Sequence, residues 1–141
     1  MKNSAGIAIV WKDKVFLVHP TNNKWWGTYS IPKGQIENDE NVTEAAVREL
    51  KEEVGIELPI SSVRENELFE CEYPKSNKKV LYYVYKIKDL KEIGLENEIQ
   101  SRKNLQLEEV DWAGFVTFEE ALKRIHPNMR PIIENIQIEF T

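Results

Sequence analysis

Residues 34–56 read GQIENDENVTEAAVRELKEEVGI, and the rest of the chain is best understood outward from them. Asn41 followed three residues on by Glu44 is a variant of the capping box, which predicts a helix starting there. Gly55 suits the left-handed position just past a helix end and is predicted to stop it. At roughly 100° per residue, with Ala46 set at about 0°, Val42, Val47, Leu50 and Val54 fall between about −40° and 100°, one apolar stripe that must face a core. Glu53, Glu49 and Glu52 fall at about 340°, 300° and 240°, a cluster beside that stripe. Like charges at these spacings repel; Arg48, at about 200°, borders the cluster, while Lys51, at about 140°, does not. Ala45, at about 260°, puts a small side chain among the glutamates and leaves room for an approaching group.

The same stretch holds the charge of the chain. Of 141 residues, 19 are Lys or Arg and 24 are Asp or Glu, a net of −5. Residues 34–56 contain seven acids and two bases, also −5, so the remaining 17 acids and 17 bases balance. Two readings of the clustered glutamates are open, a solvated acidic face or a cation site. Hard divalent cations take several carboxylate oxygens, and Mg²⁺ binds through a few carboxylates, retained waters and substrate phosphates. A position next to the buried stripe rather than opposite it favours the cation.

Upstream, residues 5–11 and 14–18 are β-rich runs separated by Lys12 and Asp13, a predicted hairpin, and residues 19–30 form a loop. Downstream, strands are expected at 67–73 and 79–87 around a Pro-Lys-Ser-Asn turn, and another at 109–116, with 89–106 as a polar loop. Thr117 with Glu120 is a full capping box for a helix through Ile125, and Pro131 starts a short terminal helix. This order predicts one α/β domain over residues 1–141 with a mixed sheet between helices. The 41% hydrophobic and 30% charged composition is that of a globular protein. Apolar runs such as 7–11 and 15–18 are far shorter than the roughly 20 residues of a membrane span. The N-terminus lacks the pattern of a secretory signal, and a lone cysteine, Cys71, has no internal disulfide partner, so the expected compartment is the cytoplasm. No broad basic surface is offered to a nucleic-acid polymer. Lys75, Lys78 and Lys79 read as a solvated basic turn, and His19 and His126 as ordinary residues. In the loop, Trp25, Trp26 and Tyr29 offer a stacking platform worth about 1–3 kcal/mol per base. The competing reading packs one Trp into the core while the other caps the loop.

Read from Gly34, the chain gives Gly, five residues, Glu40, seven residues, then Arg48-Glu49-Leu50-Lys51-Glu52-Glu53-Val54-Gly55-Ile56. This resembles, at every defined position, the Nudix box G-x5-E-x7-R-E-U-x-E-E-x-G-U, where U is a bulky aliphatic residue, and on it the chain is identified as a member of the Nudix superfamily. The resemblance implies an α/β/α sandwich with a mixed β-sheet. It implies divalent-metal-dependent hydrolysis of a diphosphate linkage in a nucleoside diphosphate derivative, either a nucleoside triphosphate or a dinucleoside polyphosphate. Mg²⁺ is the implied cofactor, with Mn²⁺ as the alternative. Glu49, Glu52 and Glu53 would be metal ligands, with Glu52 or Glu53 also orienting or deprotonating the attacking water. Arg48 would hold a neighbouring carboxylate through a fork of hydrogen bonds that Lys cannot copy, while Gly34, Glu40 and Gly55 are structural in the motif. Where many relatives have paired glycines this chain has Pro32-Lys33-Gly34-Gln35, so Lys33 is a candidate phosphate contact, with Trp26 and Tyr29 as further substrate contacts. The implied partner is a small-molecule nucleotide or other diphosphate, with no membrane, acting on a monomer or homodimer. The alternative is a non-catalytic Nudix-fold nucleotide-binding or sensor module. A prenyl diphosphate isomerase would need a cysteine acid/base, for which Cys71 on a predicted strand is poorly suited.

Overall fold

The computed structural model describes residues 2–140. Strands β1 (Lys2–Trp11) and β2 (Lys14–Pro20) form the expected hairpin, with Lys12 at φ 56° at its tip. They pair at Val10 with Val15 and at Trp11 with Lys14, then part. Residues 29–35 fill the resulting gap. Ser30 and Val18 exchange backbone hydrogen bonds of 2.8 and 3.0 Å, and the Ile7 N–H donates to the Pro32 carbonyl at 3.2 Å. Strand β3 (Lys33–Gln35) then pairs antiparallel with β1, placing Gly34 opposite Ala5.

Strands β4 (Leu68–Glu72) and β5 (Lys78–Ile87) are antiparallel to each other, and β5 runs parallel to β1 from Lys2–Lys78 to Trp11–Ile87. Strand β6 (Val110–Thr117) is antiparallel to β2. The order β4-β5-β1-β2-β6, with β3 beside β1, is the expected mixed sheet. Side chains alternate across it as a pleated strand requires. Ala5, Ile7 and Ile9 of β1 join one core cluster with Phe16, Tyr83 and Phe115; Ala8 and Val10 join the other with Leu17, Val80 and Tyr82. Helix α1 (Val42–Val54) covers the first face, followed by the short α2 (Ile60–Arg64). Helices α3 (Phe118–Arg124) and α4 (Arg130–Phe140) cover the second face through Phe118, Ala121, Ile132, Ile133 and Ile136, completing an α/β/α sandwich.

Helix α1 begins and ends where its caps dictate. The Asn41 side chain accepts from the Glu44 N–H at 2.9 Å, the Glu44 carboxylate accepts from the Asn41 N–H at 3.0 Å, and Gly55 sits at φ 69°. Its buried set is Thr43, Ala45, Ala46, Leu50 and Val54, with Val42 and Val47 only partly covered. Ala45 is therefore core, not an opening among the glutamates as its wheel position suggested. Its small side chain helps seat the helix against the sheet. Glu49 and Glu53, which lie between Ala45 and Ala46 on the wheel, turn toward the sheet with them.

Two other expectations change. Residues 89–106 are not a featureless loop but contain 3₁₀ helices at Leu90–Ile93 and Arg102–Asn104, and Ile93, Leu95 and Leu105 are buried. From this segment the Gln100 amide donates to the Val54 carbonyl at 2.7 Å, satisfying an orphan acceptor at the end of α1. At α3 half of the expected box forms: Thr117 accepts from the Glu120 N–H at 3.1 Å, but the Glu120 carboxylate accepts from Arg124 at 3.3 Å instead. No helix among the described residues is long and apolar enough to cross a membrane.

Candidate functional site

Arg48 is the hub that ties the loop after β3 to α1. Its Nε and Nη2 donate to the two oxygens of Glu40 at 2.5 and 2.8 Å, the two-pronged geometry that only a guanidinium provides. Nη2 also donates to the Gln35 carbonyl at 3.1 Å, and Nη1 donates to Glu49 Oε1 at 2.9 Å and Glu52 Oε2 at 3.1 Å. The hydrogen bonds from Arg48 hold the Glu40 carboxyl below the usual carboxylate range, and Glu40 first, then Glu49, raise the guanidinium further. The fork expected of Arg48 thus closes on Glu40, while single arms reach two of the proposed ligands.

Glu49 lies directly over Gly34. A Cβ at Gly34 would stand 2.0 Å from the Glu49 carboxyl carbon, so glycine is required here by close approach and not by backbone angle. Burial pushes the Glu49 carboxyl up even with Arg48 beside it. Glu53 lies deeper. Burial first, and the Glu49 charge second, push its carboxyl up to about 8 against the pull of Lys33, with Glu109 adding to the rise. Glu53 Oε1 is buried with no hydrogen-bond partner. Buried acceptors are nearly always paired, and leaving one unpaired costs about 1–3 kcal/mol. A cation would supply that missing partner, so an orphaned carboxylate oxygen and an all-oxygen donor set fit a hard divalent ion. Among the described residues, however, no three His, Cys, Asp or Glu side chains already converge as a metal cage. Glu49 and Glu52 are turned onto Arg48, and Glu52 remains half exposed.

Next to Gly34 opens a cleft of about 300 Å³ lined by Ser4, Lys33, Gln35, Tyr73, Lys78 and Lys79. A second hollow of about 410 Å³ shares Lys33, Tyr73 and Lys78 and continues to Thr28, Ser30 and His126. Burial, then the nearby Lys78, lower the Lys33 ammonium, with Glu53 and Glu49 acting the other way. The basic turn read as merely solvated therefore contributes Lys78 and Lys79 to the cleft wall, although Lys79 is also paired with Glu70 at 2.9 Å.

The aromatic loop differs from expectation. Tyr29 is 1% exposed and belongs to the second core cluster, so it presents no open face to a substrate. Its burial follows from backbone ties: its N–H donates to the Arg124 carbonyl and its carbonyl accepts from the His126 N–H. Trp25 and Trp26 are 54% and 58% exposed, so neither packs into the core. Trp25 stacks on His19 with ring centres 4.3 Å apart, and the Arg124 guanidinium lies 5.1 Å from the Trp26 ring centre. His19 is not an ordinary residue. It is 1% exposed, with Nδ1 2.6 Å from Asp111 Oδ1 and Nε2 2.9 Å from the Lys24 carbonyl. His126 accepts from the Asn128 N–H at 3.1 Å, and its ring lies parallel to that of Tyr73, with centres 6.5 Å apart. The spacing of the two histidines in the sequence gave no hint of these partners. Cys71 is buried on β4, its thiol donating to the Asn128 carbonyl, in the cluster on the sheet face opposite α1.

Fold and site together define an α/β/α protein with an arginine-clamped acidic helix beside a lysine-lined cleft. The model of the NUDIX domain matches residues 1–136, and the chain belongs to that family. Over 56 residues it is 41% identical to an ADP-ribose pyrophosphatase of Methanocaldococcus jannaschii, covering 39% of this chain and 33% of that protein. Over 84 residues it is 38% identical to the asymmetrical bis(5'-nucleosyl)-tetraphosphatase of Mus musculus, covering 57% of each. The matched stretches thus span between a third and somewhat over half of those relatives' own lengths. Among solved structures, an Ap4A hydrolase of C. elegans superposes with a TM-score of 0.66 at 20% identity, covering 98% of this chain and 96% of that one, which shows the shared fold.

Proposed function

We propose that the protein hydrolyses a diphosphate linkage in a nucleoside diphosphate derivative, a nucleoside triphosphate or a dinucleoside polyphosphate, with Mg²⁺ or Mn²⁺ as cofactor. The observation that carries this reading is the buried, unpartnered Glu53 Oε1 beside Glu49 and beside Lys33, a residue of the cleft lined by lysines. Glu49, Glu52 and Glu53 would hold the metal, which when bound neutralises phosphate charge and makes a bound water more acidic. The protein's own side chains do the rest. Arg48 keeps Glu40, Glu49 and Glu52 in one array. Lys33 and Lys78 draw a polyphosphate into the cleft as point charges. Glu52 or Glu53 takes the proton of the attacking water at a carboxylate oxygen. The nucleoside end of the substrate would lie along the second hollow, toward the parallel Tyr73 and His126 rings.

A screen of nucleotide substrates with Mg²⁺ and with Mn²⁺, reading released phosphate and pyrophosphate, tests the activity and locates the bond cleaved. Glu52→Gln and Glu53→Gln should each abolish turnover with the fold intact; near wild-type rates in both would sink the assignment. One observation favours a non-catalytic nucleotide sensor instead, namely that Glu49 Oε1 and Glu52 Oε2 both rest on Arg48 Nη1, where the arginine and not a cation draws them together. Tight nucleotide binding by calorimetry with no phosphate released over hours would establish that second reading.

A further inference from the structure

The last turn of α1, which carries Glu52 and Glu53, ends on carbonyls that no later residue of the helix can reach. Two of them are met from a distant segment. The Val54 carbonyl accepts from Gln100 Nε2 at 2.7 Å, across 46 residues of chain, and the Glu53 carbonyl accepts from the Gln106 N–H at 2.9 Å. The same segment presses on the end of the helix: a Cβ on Gly55 would stand 3.0 Å from the Asn104 carbonyl oxygen.

Gln100 is itself held at both ends. Its backbone N–H donates to the Ala113 carbonyl at 2.9 Å and the Phe115 N–H donates to the Glu98 carbonyl at 2.9 Å, so residues 98–100 lie along the outer edge of β6. Its buried amide has one workable orientation. Oε1 accepts from the Ser101 N–H at 2.8 Å and from Asn104 Nδ2 at 3.4 Å. A backbone N–H can only donate, so the amide oxygen must face Ser101 and the amide nitrogen must face Val54. One side chain thus joins the edge of the sheet to the end of the helix, with both of its polar atoms used.

The apolar contacts of α1 do not have this directionality. Ala45, Ala46, Leu50 and Val54 press the helix onto the sheet, but burial of apolar surface does not fix a turn along or about the helix axis. Another buried polar tie, Thr43 Oγ1 to Tyr83 Oη at 2.7 Å, lies in the first turn, about 15 Å of helix away from Glu53. Without a cation, repulsion among Glu49, Glu52 and Glu53 favours fraying of the last turn, and the tie to β6 opposes it. We infer that Gln100 is a positioning residue: by bonding the Val54 carbonyl to the edge of β6, it holds the last turn of α1 where Glu52 and Glu53 can share a divalent cation. The cation rests on the reading proposed above; the hydrogen-bonded tie does not.

Gln100→Met keeps the length of the side chain and removes the donor. Gln100→Ala, the substitute should the methionine variant fail to fold, leaves space for water to satisfy the same groups through a looser bridge. Tyr83→Phe removes the hydroxyl contact at the opposite end of α1 and controls for lost stability. The probe is Mn²⁺ alone, titrated by calorimetry into the full chain without nucleotide. Its dissociation constant should rise about tenfold in the Gln100 variants, as for partners that orient metal ligands, and stay at the wild-type value in Tyr83→Phe. In EDTA, the amides of Glu52, Glu53 and Val54 should exchange faster in Gln100→Met than in wild type, while those of Ala46 and Val47 should not change. With a nucleotide that is turned over, kcat at limiting Mg²⁺ should fall in the Gln100 variants and recover as Mg²⁺ is raised, with KM for the nucleotide unmoved. Wild-type Mn²⁺ affinity in the Gln100 variants, or an equal loss of affinity in Tyr83→Phe, would overturn the positioning role. Mn²⁺ bound as tightly by Glu53→Gln as by wild type would refute the metal reading itself, and the role of Gln100 with it.

Discussion

Replacing Gly34 by alanine tests whether the carboxylate of Glu49 must lie where it does. The added Cβ would stand 2.0 Å from the Glu49 carboxyl carbon, and ordinary van der Waals contact begins near 3.4 Å, so about 1.4 Å of movement is required. The backbone around Gly34 is held in the sheet opposite Ala5, and the obstructing atoms belong to the far end of a flexible side chain. Glu49 should therefore yield and β3 should not. Overpacking a rigid core costs about 1–3 kcal/mol, and a movable obstacle should keep this variant at the low end. A melting-temperature loss of about 2–8 °C per kcal/mol then means a drop of only a few degrees. Function should suffer far more, because displacing a reacting array by about 1 Å can cost about a hundredfold in rate. Paired measurements of thermal unfolding and of turnover on the best nucleotide found decide the matter. Near wild-type turnover in a well-folded Gly34→Ala protein would show that the position of Glu49 is not what the site depends on. A collapse in stability would show that the backbone and not the side chain absorbs the clash.

Other expectations follow from the same contacts. Arg48→Lys keeps a positive charge but loses the fork to Glu40; it should cost about 2 kcal/mol in urea unfolding and reduce turnover at least tenfold. The depressed Glu40 carboxyl contributes stability above its unfolded value near 4.3 that disappears as pH falls through its lower folded value, so acid unfolding of Glu40→Gln should show a shallower pH dependence below about 4. Glu53 has the opposite sign. With its folded pKa pushed up to about 8, it costs the chelated protein stability increasingly as pH rises from about 4.3 to 8, so Glu53→Gln should melt higher than wild type in EDTA at pH 9 and equally at pH 4. Addition of Mg²⁺ should raise the wild-type melting temperature by mass action and raise that of Glu53→Gln much less. Leu50→Ala, which empties a fully buried position of α1, should cost about 2–5 kcal/mol by denaturant titration while leaving the order of substrate preference unchanged.

The parts legible in the sequence were those specified by short-range chemistry. The Asn41–Glu44 cap, the Gly55 stop, the Lys12–Asp13 turn and the period-2 strands each depend on residues a few positions apart, and each formed. Arg48 meets Glu40 across eight residues, within the reach of the motif. The parts that were not legible depend on distant partners. The wheel misplaced Ala45 because a helix alone does not say which side the sheet will cover. His19 looked isolated because its partner Asp111 lies 92 residues on, brought beside it by β2 pairing with β6. The buried leucines and isoleucine of 89–106 were hidden among charges, since 3₁₀ turns supply no periodicity long enough to detect. Tyr29 read as a platform because the bridge to Ile125 that buries it joins residues almost a hundred apart.

The parting of β1 and β2 also sets how different parts of the site can move. Ser30 is hydrogen-bonded to β2 and residues 33–35 pair with β1 within the gap, so these ties open only with the central sheet. Hydrogen exchange there should approach the free energy of global unfolding, while residues 21–28, tied down mainly by side chains, should exchange through small local openings. The strand-bonded wall of the cleft is thus as durable as the whole fold, while residues 21–28 can be remodelled with little cost to it. Changes that accumulate in the aromatic loop should leave the pairing of β3 with β1, and the seat of Gly34 under Glu49, undisturbed.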